Sequence, residues 1–326
     1  MSELKQKIYS KIKADLADIE LELSENLNPF LDLVSKTASH ILFSGGKRLR
    51  PILTVLSAKL CGYSDHFAKR ISTVFEYLHA ATLLHDDLVD GASVRRGSPV
   101  AHSIWGNSTA VLVGDFLLAR ALSIASETRR PKVIKIISQI TENMSQGEIH
   151  QLMRKGNIDL SESEYLEIIT RKTAVLIQGS CRVGAILAKA SEKNEKALSD
   201  YGFNLGLAFQ MADDLLDYTA NPVSLGKEIG ADLKEGKLTL PVIRALGVAN
   251  PEDQSQMKAI IQNEQFSAEE FRILVDMLNQ YDGIKYTRKL AGERIDAAKA
   301  ALSVFQPSEI RNLLNDIADY ALEREV

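Results

Sequence analysis

The sequence predicts an all-α protein, and three observations lead to that prediction. Apolar residues recur every three to four positions through most of the 326 residues, which places them on one face of a helix. No alternating apolar run flanked by Asn-Gly or Asp-Gly, the pattern of a β-hairpin, is found. The chain has 19 glycines and 8 prolines, fewer than turn-rich β architectures contain. We therefore expect one all-α domain over residues 1–326.

The predicted helices follow from this periodicity and from the residues that interrupt it. The first covers 3–25, and Asn28-Pro29 ends it. The next two cover about 51–60 and 65–90, and Asp65 is the predicted N-cap of the second. The same reasoning predicts helices over 106–127, 131–153, 161–190, 194–219, 237–248, 267–280, 283–301 and 307–323.

Composition and charge exclude several classes of protein. Lys and Arg number 39 and Asp and Glu 43, and the net charge of −4 gives no reason to expect a nucleic-acid partner. Cys61 and Cys181 are too few for a disulfide scaffold and suit a reducing compartment. The start MSELKQKIYSKIK lacks the apolar block of a signal peptide, and no run of about 18 apolar residues is present. We expect a soluble, cytoplasmic protein without a transmembrane segment.

The most specific signal is a D-D-x-x-D motif that ends an apolar helix. It occurs twice, as Asp86, Asp87 and Asp90 and as Asp213, Asp214 and Asp217. In a helix the first and fifth positions lie about 40° apart, so each motif projects several carboxylates from one turn. Carboxylate oxygens suit hard divalent ions such as Mg²⁺, whereas one such motif alone is most simply a solvated helix end. Two motifs, each after an apolar helix, predict a metal site for a substrate with a charged head and an apolar tail.

Basic residues accompany both motifs. Gly45-Gly46 opens a segment with Lys47, Arg48 and Arg50, and glycine lets the backbone approach a phosphate closely. The other cations near the motifs are Arg95, Arg96, Arg171, Lys172, Lys227 and Lys237. No P-loop, dinucleotide fingerprint or Cys/His zinc pattern is present. On spacing alone, His79 is about as typical of a structural histidine as of a phosphate ligand.

Taken together and in order, these segments resemble one family. GGKRLRP, LLHDDLVD, VRRG, KTA, FQMADDLLD and GKEIGADLKEGKLTLP, between residues 40 and 245, resemble the trans-polyprenyl diphosphate synthases, most of all the octaprenyl and other long-chain members. The resemblance implies a single helical bundle around a deep central cavity, and a homodimer. It implies Mg²⁺-dependent, head-to-tail condensation of isopentenyl diphosphate onto an allylic diphosphate such as farnesyl diphosphate. Three Mg²⁺ ions would accompany the bound diphosphate, and the product would be delivered to a membrane as a quinone side chain.

By position, the resemblance also implies roles for single residues. The metal-site residues would be Asp86, Asp87, Asp90, Asp213, Asp214 and, through water, Asp217. The allylic diphosphate contacts would be Arg95, Lys172 and Lys237, with Lys227 close by. The isopentenyl diphosphate site would comprise Lys47, Arg50, His79 and Arg96, and the residues beside the reacting allyl group would be Thr173 and Gln210. Catalysis would then depend on Asp86, Asp87, Asp90, Arg95, Lys172, Asp213, Asp214 and Lys237. Ser98 stands where many relatives carry lysine, and no role follows for it.

The length of the product is predicted from two small residues. Ala81 and Thr82 lie five and four positions before Asp86, where short-chain relatives tend to carry an aromatic side chain. Small side chains there favour a long product, although a floor formed elsewhere would leave a farnesyl or geranylgeranyl diphosphate synthase. A terpene cyclase would not need a second diphosphate site, and a non-catalytic synthase subunit would be expected to have lost carboxylates or cations.

Overall fold

The computed structural model describes residues 3–219, 230–263 and 265–323, and these residues are almost wholly helical. The helices, in chain order, are α1 (Glu3–Leu27), α2 (Asp32–Leu42), α3 (Leu49–Leu60), α4 (Phe67–Val89), α5 (Ala101–Trp105), α6 (Asn107–Ser126), α7 (Pro131–Arg154), α8 (Glu162–Ile169), α9 (Val175–Leu187), α10 (Glu192–Thr219), α11 (Ala231–Lys234), α12 (Leu240–Val248), α13 (Pro251–Ile261), α14 (Ala268–Gln280), α15 (Gly283–Ala301) and α16 (Glu309–Leu322). A π-helical turn covers Thr170–Ala174, and a 3₁₀ turn covers Leu302–Val304. The prediction of an all-α protein is confirmed.

The structure differs from the predicted helices in several places, among them the short helices α5 and α11, which were not predicted. Helix α2 was not predicted, because its buried face contains Thr37 and Ala38 while Leu33 is exposed, which obscures the apolar periodicity. Helix α13 was also missed, although its start has a sequence signal: the side chain of Asn250 accepts a hydrogen bond from the backbone of Asp253, and proline follows it. The single helix predicted over 161–190 consists of α8, the π-helical turn and α9.

The segment between the helices predicted over 65–90 and 106–127 contains a small hairpin. Strand β1 (Val94–Arg95) pairs with β2 (Ser98–Pro99) in an antiparallel ladder. The two residues of the turn, Arg96 and Gly97, have φ values of +52° and +77°, as a type I′ hairpin turn requires. Only glycine adopts this backbone without strain, so Arg96 is held in a conformation that most side chains avoid.

The chain divides into two compact units that alternate along the sequence. The first unit comprises 1–141, 176–202 and 301–317, and the second comprises 142–175, 203–300 and 318–326. In the first, Tyr77 of α4 is fully buried and its hydroxyl donates to the carbonyl of Leu23 at 2.6 Å, which anchors the helix that carries the first aspartate motif. In the second, Met211 and Leu215 of α10 are fully buried and anchor the helix of the second motif. The single domain over 1–326 stays a prediction.

Within the described ranges, α6 is the one helix that is long and apolar enough to cross a membrane. It packs against α4 in the first unit, and the core helix of a globular protein meets the same criterion. One such helix is weak evidence for a membrane span.

Candidate active site

The first aspartate motif lies at the end of α4 in the first unit. Asp87 is 2% exposed, whereas Asp86 and Asp90 are half-buried. The Nε of Arg95, on the hairpin, donates to Oδ1 of Asp87 at 2.6 Å. Burial raises the pKa of Asp87, and the charge and hydrogen bond of Arg95 oppose that shift. A protein cation therefore holds the second aspartate of the motif.

The second motif shows the same division among its carboxylates. Asp213 is exposed, whereas Asp214 is 5% exposed. The hydroxyl of Tyr165 donates to Oδ2 of Asp214 at 2.5 Å, and Nε2 of Gln210 donates to Oδ1 at 2.7 Å. Burial raises the pKa of Asp214 to about 7. In each motif the second aspartate points into the protein, as its offset of about 100° from the first residue of the motif requires.

Asp217, the last residue of the second motif, accepts hydrogen bonds from the protein backbone. Its Oδ1 lies 3.0 Å from the amide of Ala231, and its Oδ2 lies 3.2 Å from that of Asp232. These are the first amides of α11, which lack partners inside the helix. Asp217 therefore ties the end of α10 to the start of α11.

The predicted residues Lys172 and Thr173 lie in the π-helical turn between α8 and α9. Such turns are rare and frequently occur at functional sites. A Cβ on Gly206 of α10 would lie 2.6 Å from Cα of Ala174, and one on Gly147 of α7 would lie 2.8 Å from the amide nitrogen of Lys172. Both neighbouring helices thus approach the turn so closely that these two positions require glycine.

Side chains of the second unit line a cavity of about 110 Å³. The predicted site residues in its lining are Lys172, Thr173, Gln210, Asp214 and Lys237. The lining residues that the sequence did not indicate include Gln151, Arg154, Tyr165, Asp232 and Thr239. The hydroxyl of Thr173 donates to Oε1 of Gln210 at 2.8 Å. Lys227, predicted to lie near the allylic diphosphate, is outside the described residues.

The glycine-rich basic segment is built around Arg48, in the first unit. Arg48 is 5% exposed and has a φ of +48°. Its guanidinium donates to Glu20 at 2.6 Å, to Glu76 at 2.7 Å and to the carbonyl of Leu42 at 2.6 Å. Burial acts to lower the pKa of Arg48, but the hydrogen bonds and charges of the two glutamates raise it. Arg48 therefore joins three helices, and the exposed Lys47 and half-buried Arg50 lie on either side of it.

The charges of four of the predicted cations act on His79. Burial, followed by the charges of Arg50, Arg96 and Arg95, holds the pKa of His79 well below its usual value. The guanidinium of Arg96 also donates to the carbonyl of Gly45, which links the hairpin to the basic segment. A neutral imidazole among several cations is suited to donate one N–H to a phosphate oxygen. The histidine that sequence alone left undecided thus lies among the predicted isopentenyl diphosphate residues.

Known proteins resemble this chain in sequence and in fold. Residues 31–278 match the profile of the family described as Polyprenyl synthetase. The chain belongs to this family. It is 36% identical over 321 residues to the octaprenyl diphosphate synthase of Escherichia coli (strain K12), and this alignment covers 98% of this chain and 99% of that protein. It is 33% identical over 296 residues, 89% of this chain and 90% of the other, to the short chain isoprenyl diphosphate synthase of Methanothermobacter thermautotrophicus.

A solved polyprenyl synthase gives the structural comparison. The crystal structure of the enzyme from Caulobacter crescentus CB15, complexed with calcium and isoprenyl diphosphate, matches with a TM-score of 0.92 and 38% identity over 98% of both chains. These similarities confirm the predicted family, the isoprenoid synthase fold and the class of enzyme. This polyprenyl synthetase is a trans-prenyl diphosphate synthase, a prenyltransferase of isoprenoid biosynthesis. The roles assigned to single residues stay predictions.

The sequence did not indicate the acidic partners of the three cations predicted to bind the allylic diphosphate. In this polyprenyl synthetase, Arg95 pairs with Asp87, and Nζ of Lys172 lies 2.5 Å from Oε2 of Glu148. Nζ of Lys237 lies 2.6 Å from a glutamate two residues earlier. Glu148 and Gln151 both contact Lys172. Their spacing of three residues, which places them on one face of α7, is the sequence feature that indicates a shared partner.

The residues present fit Mg²⁺ chemically. Among the described ranges, no group of three or more His, Cys, Asp or Glu side chains is arranged to hold a metal ion without other ligands. Mg²⁺ usually binds one or two carboxylates together with the phosphates of its substrate, so a complete protein cage is not required. Asp86, Asp90 and Asp217 are half-buried and Asp213 is exposed, and both oxygens of Asp217 accept backbone amides, so Asp86, Asp90 and Asp213 are the motif carboxylates suited to such diphosphate-bridged ions.

Proposed function

We propose that the chain is a Mg²⁺-dependent synthase that condenses isopentenyl diphosphate head to tail onto farnesyl diphosphate. Its product would be a long-chain all-trans polyprenyl diphosphate for a quinone side chain. The observation that carries this proposal is the cavity of the second unit, where Lys172 and Lys237 lie with Asp214, Thr173 and Gln210. Two cations suit a diphosphate, and two neutral polar groups suit the carbon that becomes positive when the C–O bond breaks.

The chemistry divides between charge stabilisation and exclusion of water. Mg²⁺, when bound by the motif aspartates, neutralises the negative charge that develops on the departing pyrophosphate. Lys172 and Lys237, which line the cavity of the second unit, would add positive charge at that pyrophosphate. The double bond of isopentenyl diphosphate attacks the allylic cation, and the departed pyrophosphate takes up the proton that is then lost. This chemistry needs no dedicated protein base, and the apolar residues around the site keep water from the cation.

We assign the metal contacts by exposure. Asp86, Asp90 and Asp213 would bind the ions directly, and Asp217 would act through water because both its oxygens already accept backbone amides. Asp87 and Asp214, the second aspartates of their motifs, instead accept hydrogen bonds from protein side chains. The calcium and isoprenyl diphosphate in the relative from Caulobacter crescentus support a divalent ion and a prenyl diphosphate as joint ligands.

A long product is supported by the small side chains before the first motif. Ala81 is 5% exposed, and the hydroxyl of Thr82 donates to the carbonyl of His79 on the same helix. Neither side chain can close a channel as an aromatic ring would. One of the two relatives described above is an octaprenyl diphosphate synthase and the other is a short chain isoprenyl diphosphate synthase. Membership of the family therefore leaves the product length open, and a separate experiment is needed to determine it. We expect Ala81→Phe to shorten the products, and an unchanged product ladder on chromatography would contradict this role.

A homodimer is supported by an exposed apolar surface in the first unit. On α6, Leu112 is 65% exposed and Val111 is 37% exposed, and Ile104 of α5 is 46% exposed. Burial of such residues is a main source of association energy in homodimers. Light scattering should give twice the mass of one chain, whereas the mass of a single chain in an active preparation would exclude the dimer.

One incubation tests the reaction against its alternatives. The purified chain is incubated with Mg²⁺, radiolabelled farnesyl diphosphate and isopentenyl diphosphate, and products are sized by chromatography. Elongated diphosphates support the synthase, and their length distinguishes the long-chain from the short-chain enzyme. Cyclic hydrocarbons would indicate a terpene cyclase. No product from the folded chain alone would indicate a subunit that needs a partner.

A further inference from the structure

The carboxylate of Asp214 is fully occupied by two protein donors. The hydroxyl of Tyr165 donates to Oδ2 at 2.5 Å, and the side-chain amide of Gln210 donates to Oδ1 at 2.7 Å. Tyr165 is 3% exposed and Asp214 is 5% exposed, so water does not compete with these bonds. Hydrogen bonds to a buried carboxylate are strong and directional.

These bonds continue to the two residues expected beside the reacting allyl group. The amide nitrogen of Gln210 faces Oδ1 of Asp214, and this is the orientation that the ionised form of Asp214 favours, because a carboxylate accepts hydrogen bonds and does not donate them. The amide oxygen of Gln210, Oε1, then faces away and accepts the hydroxyl proton of Thr173 at 2.8 Å. Because that proton is directed to Gln210, the lone pairs of the Thr173 oxygen are left for the cavity that Thr173 lines.

We propose that Tyr165 is a positioning residue, which fixes Asp214 and through it the orientation of Gln210 and Thr173 toward the carbon that becomes positive. The inference rests on the proposed function, because the proposed function places the reacting carbon in this cavity. Oriented dipoles stabilise a developing charge without reorganising during the reaction. The ring of Tyr165 borders the cavity, but its hydroxyl is turned to Asp214, and the effect of that hydroxyl reaches the reaction through Asp214, Gln210 and Thr173.

Contacts that do not involve the hydroxyl of Tyr165 hold the helix that carries its ring. Helix α8 starts with a capping box in which Ser161 and Glu164 exchange hydrogen bonds. The hydroxyl of Tyr286 donates to the carboxylate of Glu162 in the first turn of the same helix, at 2.9 Å and 3.0 Å. A Tyr165→Phe variant therefore keeps the helix and the ring and removes only the bond to Asp214.

The matched control is another buried tyrosine. The hydroxyl of Tyr201 on α10 donates to the backbone carbonyl of Leu314 at 2.7 Å, and the side chain is fully buried. Tyr201→Phe removes a comparable buried hydrogen bond that touches no predicted site residue. Both variants should shift the midpoint of urea unfolding similarly, so a difference in catalysis between them reflects position and not stability.

The test compares kcat and KM for the two variants and the wild-type chain. We expect Tyr165→Phe to lower kcat by about 10- to 100-fold, the range for lost outer-shell partners. The KM for each diphosphate should change less than about twofold, and Tyr201→Phe should keep kcat. Wild-type kcat in Tyr165→Phe would overturn the inference, and so would a rise in KM with kcat unchanged.

A double-mutant cycle tests the route of the effect. If Tyr165 acts through Thr173, Tyr165→Phe should cost less than about threefold in kcat when Thr173→Ala is already present. Full additivity of the two losses would overturn the proposed route. A wild-type chain that folds but elongates no allylic diphosphate would refute the proposed function itself, which separates that failure from the failure of this inference.

Discussion

The close packing at Gly206 gives a direct test of how the π-helical turn is held. A Cβ added at Gly206 would lie 2.6 Å from Cα of Ala174 and 3.1 Å from its Cβ. The first distance is about 0.8 Å inside the 3.4 Å at which ordinary contact begins, and the atom it meets is backbone. A Gly206→Ala variant must therefore shift the turn that carries Lys172 and Thr173 by a large part of an ångström.

The energetic consequence can be separated from helix propensity with a control. Gly292 lies inside α15, and a Cβ there would meet nothing within 4 Å. Gly292→Ala should stabilise the protein by about 0.5–1 kcal/mol, the gain of replacing glycine in a helix. Gly206→Ala should gain the same propensity but lose about 1–3 kcal/mol to overpacking. In urea unfolding, Gly206→Ala should thus be about 1–3 kcal/mol less stable than the control variant.

The catalytic consequence should be larger than the change in stability. A displacement near 1 Å of a positioned group can cost on the order of 10²-fold in rate. We expect kcat of Gly206→Ala to fall by about 10- to 100-fold in the elongation assay, while Gly292→Ala keeps the wild-type value. A Gly206→Ala enzyme with normal kcat and the same gain in stability as the control would refute this account of the turn.

Two further predictions concern the first unit. Glu76→Gln removes one carboxylate from the buried Arg48 and should destabilise the protein by about 3 kcal/mol, the lower end for a broken buried pair because Glu20 remains. Glu269→Gln, in an exposed pair with Arg272, should cost less than about 0.5 kcal/mol in the same urea titration, and equal losses would contradict the role of Arg48. For His79, the pKa is lowered in the folded protein, so the unfolded chain binds the proton first as pH falls below about 6.5. The contribution of His79 to the free energy of unfolding should fall from pH 7 to pH 5 with a slope of at most about 1.4 kcal/mol per pH unit, so the wild-type chain should lose more stability over this range than His79→Gln. An identical slope in the variant would contradict it.

The sequence predicted the fold and the site residues that depend on local spacing. The apolar periodicity placed α4 and α10, and the D-D-x-x-D spacing placed one aspartate of each motif away from the other two. The structure adds that this second aspartate is the buried one in both motifs. Helix α2 was missed because its buried face contains small and polar side chains.

The parts that sequence could not predict depend on contacts between distant residues. Tyr165 is 49 residues from Asp214, and no pattern in the sequence links the two. Arg48 carries the same charge as Lys47 and Arg50, and only the packing of Glu20 and Glu76 around it distinguishes a structural arginine from a substrate contact. The π-helical turn at Thr170–Ala174 packs closely against glycines on two other helices, and local propensity does not reveal that packing.

The central claim is that the aspartate motifs serve the ionisation of the allylic diphosphate. The most direct measurement is kcat of Asp213→Ala with saturating Mg²⁺, farnesyl diphosphate and isopentenyl diphosphate, beside the wild-type chain. Asp213 is exposed on α10, so its loss should leave the fold intact. We predict a loss of about 10²- to 10³-fold or more in kcat, as for other lost electrostatic contacts to a transition state. Turnover close to the wild-type rate would contradict the claim.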